Sequence, residues 1–358
     1  MSREPVSREP AADEPDRFEG APHPREQFAF FGHEEGEAAF VEGLRSGRLH
    51  HAWLIGGPQG IGKATLAYRV ARTVLDPSRA AGSASGRLDM DPQANVARQV
   101  MALSHPNLAV LRRAPATDKK GPSATIPVEA VRRALATFAS TAADGGYRVC
   151  IVDSAEDLTV ASANALLKVI EEPPPRSLFL IVSHAPQRVL PTIRSRCRRL
   201  LLRPLDDASV RAAIASLGAP WSDMPPDVVD EALRLGEGSV RRTLELLDGD
   251  RVAFVGQVTA LLERLPRADM RQVLSLAEAL ARKDADENYE LMLDTVQRWV
   301  SAQLHARAGL GPRRLAPLVE VCEKIGRSAR EIDVYNLDRR PFILTMFDDL
   351  ADAVRRAA

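Results

Sequence analysis

The stretch Gly57-Pro-Gln-Gly60-Ile-Gly62-Lys63 decides the fold, because it fits the pattern GxxxxGK between a predicted strand at 52–55 and a predicted helix at 63–75. Backbone N–H groups of such a loop cradle phosphates, and the helix dipole and the lysine add positive charge. The three glycines and the lysine all fall where the pattern requires them. The stretch therefore predicts a phosphate-binding loop (P-loop) at a strand-to-helix turn.

Short apolar runs alternate with helical periodicity on both sides of this loop, from about residue 28 to residue 204. The runs at 108–111, 147–152 and 178–182 are short enough for buried parallel strands. Strands that alternate with helices are typical of an α/β domain with a parallel sheet. The sequence therefore predicts that the loop belongs to such an α/β domain.

The composition of the chain divides it into four segments. The first two dozen residues are rich in Pro, Glu and Arg and cannot repay the entropy of ordering. After Pro204 no strand-like run appears, and three short helices are predicted before a region that is helical to residue 358. We predict a disordered tail, a P-loop α/β domain, a small helical domain and a C-terminal all-helical domain, at 1–24, 25–204, 205–250 and 251–358.

Charge and cysteine content exclude several classes of protein. The 48 basic residues balance the 48 acidic ones, so any contact with DNA must be local or shared with partners. The three cysteines include no CxxC pair, which argues against a disulfide framework and a zinc site, and we expect no metal site. No window approaches the ~20 apolar residues that a membrane crossing requires. We therefore expect no membrane contact and a cytoplasmic protein.

The P-loop lacks two groups that ATP hydrolysis requires. Ala64 stands where a Ser or Thr hydroxyl would bind Mg²⁺, and Ser154 stands where a glutamate would activate water after Asp153. Glu156 is close but displaced by two positions. We expect the register of the helix to turn Thr65 away from the phosphates. Because two parts of one mechanism are missing, the sequence predicts a loop that is kept for its shape.

Three further motifs carry a family likeness: Asn164-Ala-Leu-Leu-Lys168, Glu171-Glu-Pro-Pro-Pro175 and Ser195-Arg196-Cys197. Together with the P-loop they resemble those of the AAA+ subunits of the bacterial DNA polymerase III clamp loader. The resemblance implies a RecA-like AAA+ P-loop domain, a small helical lid and a C-terminal all-helical collar for oligomerisation. Many members of the family carry a four-cysteine zinc module after the P-loop helix, but residues 77–106 contain no cysteine.

The resemblance assigns a role to each position that matches a motif of the family. These positions are Gly57, Gly60, Gly62 and Lys63 in the Walker A loop, Asp153 in Walker B, Ser183 as sensor 1, Arg241 as sensor 2 and Arg196 as arginine finger. In the family this arginine acts in trans, on the nucleotide that a neighbouring subunit holds. We expect Arg196 on a surface loop between the strand at 178–182 and a basic strand near 198–202.

The function that the resemblance implies is that of a non-hydrolysing subunit of the replicative clamp loader. Such a subunit scaffolds the ring beside ATPase subunits of the gamma/tau type and a clamp-opening delta subunit. It meets the sliding clamp and primer-template DNA through the complex, within the DNA polymerase III holoenzyme. It has no cofactor and no catalytic activity of its own, since ATP and Mg²⁺ sit at the neighbours. Whether ATP binds here without turnover stays open.

Three other functions were weighed against this one. The first is an active gamma/tau-like ATPase, which the losses at Ala64 and Ser154 oppose. The second is a P-loop kinase or helicase of another class, which the Ser-Arg-Cys motif and the helical C-terminal third oppose. The third is a DNA-binding adaptor that acts alone, which the zero net charge opposes.

Overall fold

The computed structural model describes most of the chain. The described residues are 17–18, 20–79, 88–114, 123, 125–139, 146–247, 249–282, 285–335 and 337–357. They fall into two compact units, one that ends at Leu244 and one that begins at Glu245. Within these residues, no helix combines the length and the apolar character needed to cross a membrane.

A parallel sheet of five strands organises the first unit. The strands are β1 (Ala52–Gly56), β2 (Leu108–Arg112), β3 (Arg148–Asp153), β4 (Ser177–Ser183) and β5 (Arg198–Leu201). They lie in the order β2-β3-β4-β1-β5, and the register pairs Leu54 with Ile181 and with Arg199. The P-loop follows the strand that lies between β4 and β5. This arrangement confirms the predicted α/β fold class, a RecA-like AAA+ P-loop domain.

Helices cover both faces of the sheet. They are α1 (Glu34–Arg45), α2 (Lys63–Leu75), α3 (Asn95–Met101), α4 (Val128–Ala139), α5 (Val160–Glu171) and α6 (Pro191–Arg196). Side chains alternate across β1, so that Trp53 and Ile55 join one buried cluster and Leu54 joins the other. On the first face, Val100 of α3 packs with α2 in the stretch where the family's zinc module is absent. Burial on both faces explains why β1 is apolar and why β3 and β4 are apolar between their end residues.

Three short helices follow the sheet, as predicted. They are α7 (Asp207–Ala215), α8 (Pro226–Gly236) and α9 (Val240–Leu246). Asp206 caps α7 by accepting a hydrogen bond from the backbone N–H of Ser209 at 2.7 Å. Glu237 ends α8 in the left-handed conformation, and Gly238 and Ser239 then lead into α9. This short turn places the start of α9 beside the P-loop.

All the regular secondary structure described in the second unit is helical. Its helices are α10 (Gly249–Glu263), α11 (Met270–Leu280), α12 (Asp286–Ala306), α13 (Pro312–Tyr335) and α14 (Arg339–Ala357). Tyr289, Val296 and Val300 form the buried stripe that the spacing of α12 predicts. The stripe packs with Phe347 and Leu350 of α14 in one apolar core. The structure divides the described residues into two units, so the division of the chain into four segments stays a prediction.

Buried residues begin earlier in the chain than the predicted tail allows. Most of the predicted tail, residues 1–16 and 19, lies outside the described residues. His23 is nevertheless only 1% exposed and Ala21 only 8%. Arg72 of α2 donates to the backbone oxygens of Arg25 at 3.2 Å and Gln27 at 2.8 Å. The expectation that this segment buries nothing is therefore wrong for residues 21 and 23.

Candidate functional site

The P-loop lies where the sequence predicts it, between β1 and α2. Its three motif glycines all have positive φ angles, +146° at Gly57, +77° at Gly60 and +97° at Gly62. Gly62 is also the N-cap residue of α2. Residues with side chains rarely adopt these angles, which explains why the loop needs glycine at these positions.

A cavity of about 210 Å³ opens beside the loop, within the first unit. Its polar wall includes Lys63, Asp153, His184 and Arg241, together with the backbone of the loop. Its apolar lining comes from the N-terminal segment, from residues that flank α7 and from α9: Phe18, Ala21, Phe30, Leu205, Leu217, Val240 and Leu244. The cavity therefore brings Gly60, Gly62 and Lys63 together with Asp153 and Arg241, whereas Gly57 and Ser183 do not line it.

Lys63 is bonded to its own loop. Its Nζ atom donates to the backbone oxygen of Gly57 at 2.7 Å and to that of Pro58, and the side chain is only 3% exposed. Burial lowers the pKa of Lys63 to about 8, although the carboxylates of Asp153 and Glu156 oppose this shift. The ammonium group is thus satisfied by loop carbonyls.

Other parts of the first unit hold the remaining carbonyls of the loop. The Oγ atom of Ser239 donates to the oxygen of Gln59 at 2.9 Å, and the Arg241 backbone N–H to that of Gly60 at 3.4 Å. The Nε2 atom of His33 lies 2.7 Å from the oxygen of Ile61, so this nitrogen carries the proton. Burial lowers the pKa of His33, which favours the neutral ring. The loop is therefore fixed to the start of α9 and to the residue before α1.

The residues around the loop do not fit a Mg²⁺ ion in the usual way. Ala64 lines the cavity with a methyl group at the position where a hydroxyl would bind the metal. Thr65 also lines the cavity, and the expectation that its hydroxyl turns away from the phosphates stays a prediction. Ser154 is buried, and its Oγ atom donates to Asp157 at 3.3 Å. No carboxylate occupies the position that would activate water.

Ser183, the residue predicted as sensor 1, is engaged with Glu156. Its Oγ atom donates to Oε1 of Glu156, which also accepts from the backbone N–H of Ala185 at 2.6 Å. Burial acts to raise the pKa of Glu156, but these two bonds outweigh it and the pKa is lowered. His184 lines the cavity, and desolvation together with the charge of Lys63 lowers the pKa of its ring to about 4. Glu156 is therefore an anion beside a neutral histidine at pH 7.

Arg196 lies outside this cavity. It is the last residue of the short helix α6, whereas the sequence predicts a surface loop at this position. The prediction of a loop is wrong because Pro191 starts a helical turn that continues to the strand β5. The guanidinium is exposed, and its Nη2 atom lies 2.7 Å from Oε1 of Glu171. The chain thus presents an arginine on its surface, separate from its own P-loop.

Comparison with known proteins identifies the family. The family described as "DNA polymerase III, delta subunit" matches residues 32–206. The chain is 33% identical to the Yersinia pestis protein named DNA polymerase III subunit delta', over 70% of this chain and 72% of the relative. It is 32% identical to the Pseudomonas aeruginosa protein of the same name, over 79% of this chain and 81% of the relative. The chain belongs to the DNA polymerase III delta prime family.

The delta prime family also has relatives in the tau group. The Escherichia coli protein named DNA polymerase III subunit tau is 29% identical over 75% of this chain, which spans 40% of that relative. The family that the sequence motifs indicate is therefore confirmed. The roles of the individual site residues in this delta prime family member stay predictions.

Three residues of the site carry no signal that sequence reasoning could use. Ser239 contacts a loop residue that lies 180 positions earlier, and His33 contacts one that lies 28 positions later. Glu156 stands near Walker B but does not fit its pattern, and only the structure brings it to Ser183. The sequence predicts the motif residues of the site. Contacts between segments that are distant in the chain supply the other residues.

Proposed function

We propose that this delta prime family member is a non-hydrolysing subunit of a replicative clamp loader, which scaffolds the assembly and supplies Arg196 in trans. The observation that carries the proposal is the state of the P-loop. Ala64 places a methyl group where a hydroxyl would bind Mg²⁺, and Lys63 donates to backbone carbonyls of the loop. A loop with these features keeps its shape and lacks the parts that transfer a phosphoryl group.

The contacts between the loop and α9 support a scaffolding role. In a P-loop ATPase the bound nucleotide bridges the loop and the lid, and its release lets the two separate. In this chain Ser239 and Arg241 bond directly to Gln59 and Gly60. These bonds tie the loop directly to the start of the lid. Such a subunit keeps one geometry while ATPase neighbours change theirs.

The position of Arg196 supports action on a neighbouring site. A guanidinium is always charged, and its planar fork can bond two phosphate oxygens at once. Arg196 is exposed at the end of α6 and does not line the chain's own cavity. An arginine finger stabilises charge that develops on the transferred phosphoryl group. Arg196 is therefore suited to the nucleotide of another subunit.

The partners follow from this role. ATPase subunits of the gamma/tau type hold ATP and Mg²⁺, and a clamp-opening delta subunit completes the ring. The sliding clamp and primer-template DNA are met through the complex. The names of the relatives support these assignments, since they are DNA polymerase III delta prime and tau subunits.

An active gamma/tau-like ATPase is the second candidate. The observation that favours it is that Thr65, a residue with a hydroxyl group, lines the cavity one position after Ala64. The buried Ser154 opposes it, because a hydroxyl bonded to Asp157 cannot replace the carboxylate that activates water.

Two measurements test the proposed function. Purified chain is mixed with candidate ATPase and clamp-opening subunits, and we expect one stable complex by analytical size exclusion. The isolated chain is then assayed with Mg²⁺ and ATP, and we expect no hydrolysis above background. A turnover typical of ATPases that Lys63→Ala abolishes would establish the active ATPase instead. Failure to join any complex would refute the scaffolding role.

A further inference from the structure

Glu171 is the acceptor that holds the side chain of Arg196. The Nη2 atom of Arg196 lies 2.7 Å from Oε1 of Glu171. On its other side, the Nη1 atom donates to the backbone oxygen of Thr192 at 3.3 Å and to Oγ of Ser195 at 3.4 Å. Both terminal nitrogens of the guanidinium are therefore bonded within the chain.

These contacts occupy the part of the arginine that a phosphate group would use. The planar fork of a guanidinium binds phosphate through parallel N–H groups. Glu171 takes an N–H group of Nη2 and α6 holds Nη1, so a phosphate that binds through both terminal nitrogens competes with the carboxylate at Nη2. The long bonds of Nη1 are the weaker of these contacts. Glu171 is thus the main competitor of an incoming phosphate.

A carboxylate at position 171 does not stabilise the helix that carries it. Glu171 is the last residue of α5, where the negative end of the helix dipole disfavours an anion. The side chains of Arg196 and Glu171 are 42% and 38% exposed, so packing does not lock either one. The pair can therefore form and break at low cost, because exposed ion pairs are weak.

We propose that Glu171 is a positioning residue that holds Arg196 on its own subunit and competes with the neighbour's nucleotide phosphate for the guanidinium. This inference rests on the proposed trans role of Arg196. Release of Glu171 makes Arg196 available when a neighbour presents ATP. The carboxylate thereby sets the fraction of assembled complexes in which the finger is engaged.

The test uses the full assembled complex and single-turnover ATP hydrolysis with the clamp and primer-template DNA. Glu171→Gln removes the charge and keeps the shape of the side chain. An exposed pair of this kind shifts an equilibrium by about 1.5- to 5-fold. We expect Glu171→Gln to raise the rate of hydrolysis by about this factor, without a change in the ATP concentration for half-maximal rate. A merely structural role in packing α5 on α6 would weaken assembly instead.

The neighbouring Glu172 provides a matched control. It is exposed, follows Glu171 directly and has no ion pair among the described residues. Glu172→Gln therefore makes the same change of charge at the same helix end, and we expect an unchanged rate. In an Arg196→Ala background, Glu171→Gln should have no effect, because the competing guanidinium is absent.

The outcomes separate this inference from the proposed function. A reduced rate with Arg196→Ala, together with an unchanged or lower rate with Glu171→Gln, would overturn the role of Glu171 alone. A gain that persists in the Arg196→Ala background would overturn it as well. A full rate with Arg196→Ala would remove the trans role and the inference together.

Discussion

Substitution of Gly60 by alanine probes the contact between the P-loop and the start of α9. A Cβ atom at Gly60 would lie 2.3 Å from Oγ of Ser239 and 2.6 Å from Cβ of Arg241. The φ angle of +77° adds the strain of a left-handed alanine, about 1–2 kcal/mol. Displacement of Ser239 also loses its bond to Gln59, worth about 0.5–1.5 kcal/mol. We expect Gly60→Ala to lower the free energy of unfolding of the first unit by about 1.5–3.5 kcal/mol.

Gly218 is the matched control for this substitution. Its φ angle of +76° is nearly the same, and a Cβ atom there would have no neighbour within 4 Å. Gly218→Ala should therefore cost only the backbone strain of about 1–2 kcal/mol. Urea unfolding is followed by tryptophan fluorescence in a Trp299→Phe background, so that the signal comes from the first unit. Equal costs at the two glycines would refute a tight contact between loop and lid.

The remaining predictions concern Lys63, the N-terminal segment and Arg72. Burial lowers the folded-state pKa of Lys63 to about 8 from 10.5, so the unfolded chain binds more protons between these pH values and stability rises with pH. Relative to Lys63→Met, the wild type should gain about 3 kcal/mol of unfolding free energy from pH 7 to pH 11; parallel curves would contradict this. Removal of residues 1–24 should destabilise the first unit by about 1–3 kcal/mol more than removal of 1–16, measured by urea unfolding; equal stability would contradict the burial of residues 21 and 23. Arg72→Met should cost about 2–4 kcal/mol in the same assay, since the buried carbonyl oxygen of Arg25 and the partly buried one of Gln27 lose their Arg72 donor, and a cost near zero would show that both are solvated.

Much of the fold could be predicted because its signals are local. The apolar runs predict β1, β3 and β4 to within one or two residues, since both faces of these strands are buried. The glycines and the lysine of the loop are adjacent in the chain, so their pattern is visible in the sequence. Arg196 is a partial success: its exposure was expected, but its helix was missed because α6 has only six residues.

The rest of the site depends on contacts between distant segments. The sequence does not predict the hydrogen bond from Ser239 to Gln59 or the ion pair between Glu171 and Arg196. Neither spacing follows a helical or strand period. The burial of His23 was also missed, since a polar segment rich in proline resembles a tail. His23 packs beside Tyr68 of α2, with ring centroids 6.0 Å apart. Tertiary packing, rather than local propensity, orders this segment.

The most direct test of the account is the ATPase rate of an assembled complex that carries Arg196→Ala. Arginine fingers contribute roughly 10³ to 10⁵ in rate at a single site in GTPases, and the drop should be smaller when only one of several sites loses its finger. We predict a complex of unchanged size whose DNA- and clamp-stimulated hydrolysis is lower, and that Arg196→Lys does not restore it, because an ammonium lacks the planar fork. A normal stimulated rate in a complex with Arg196→Ala would contradict the account and leave Arg196 as a surface arginine paired with Glu171.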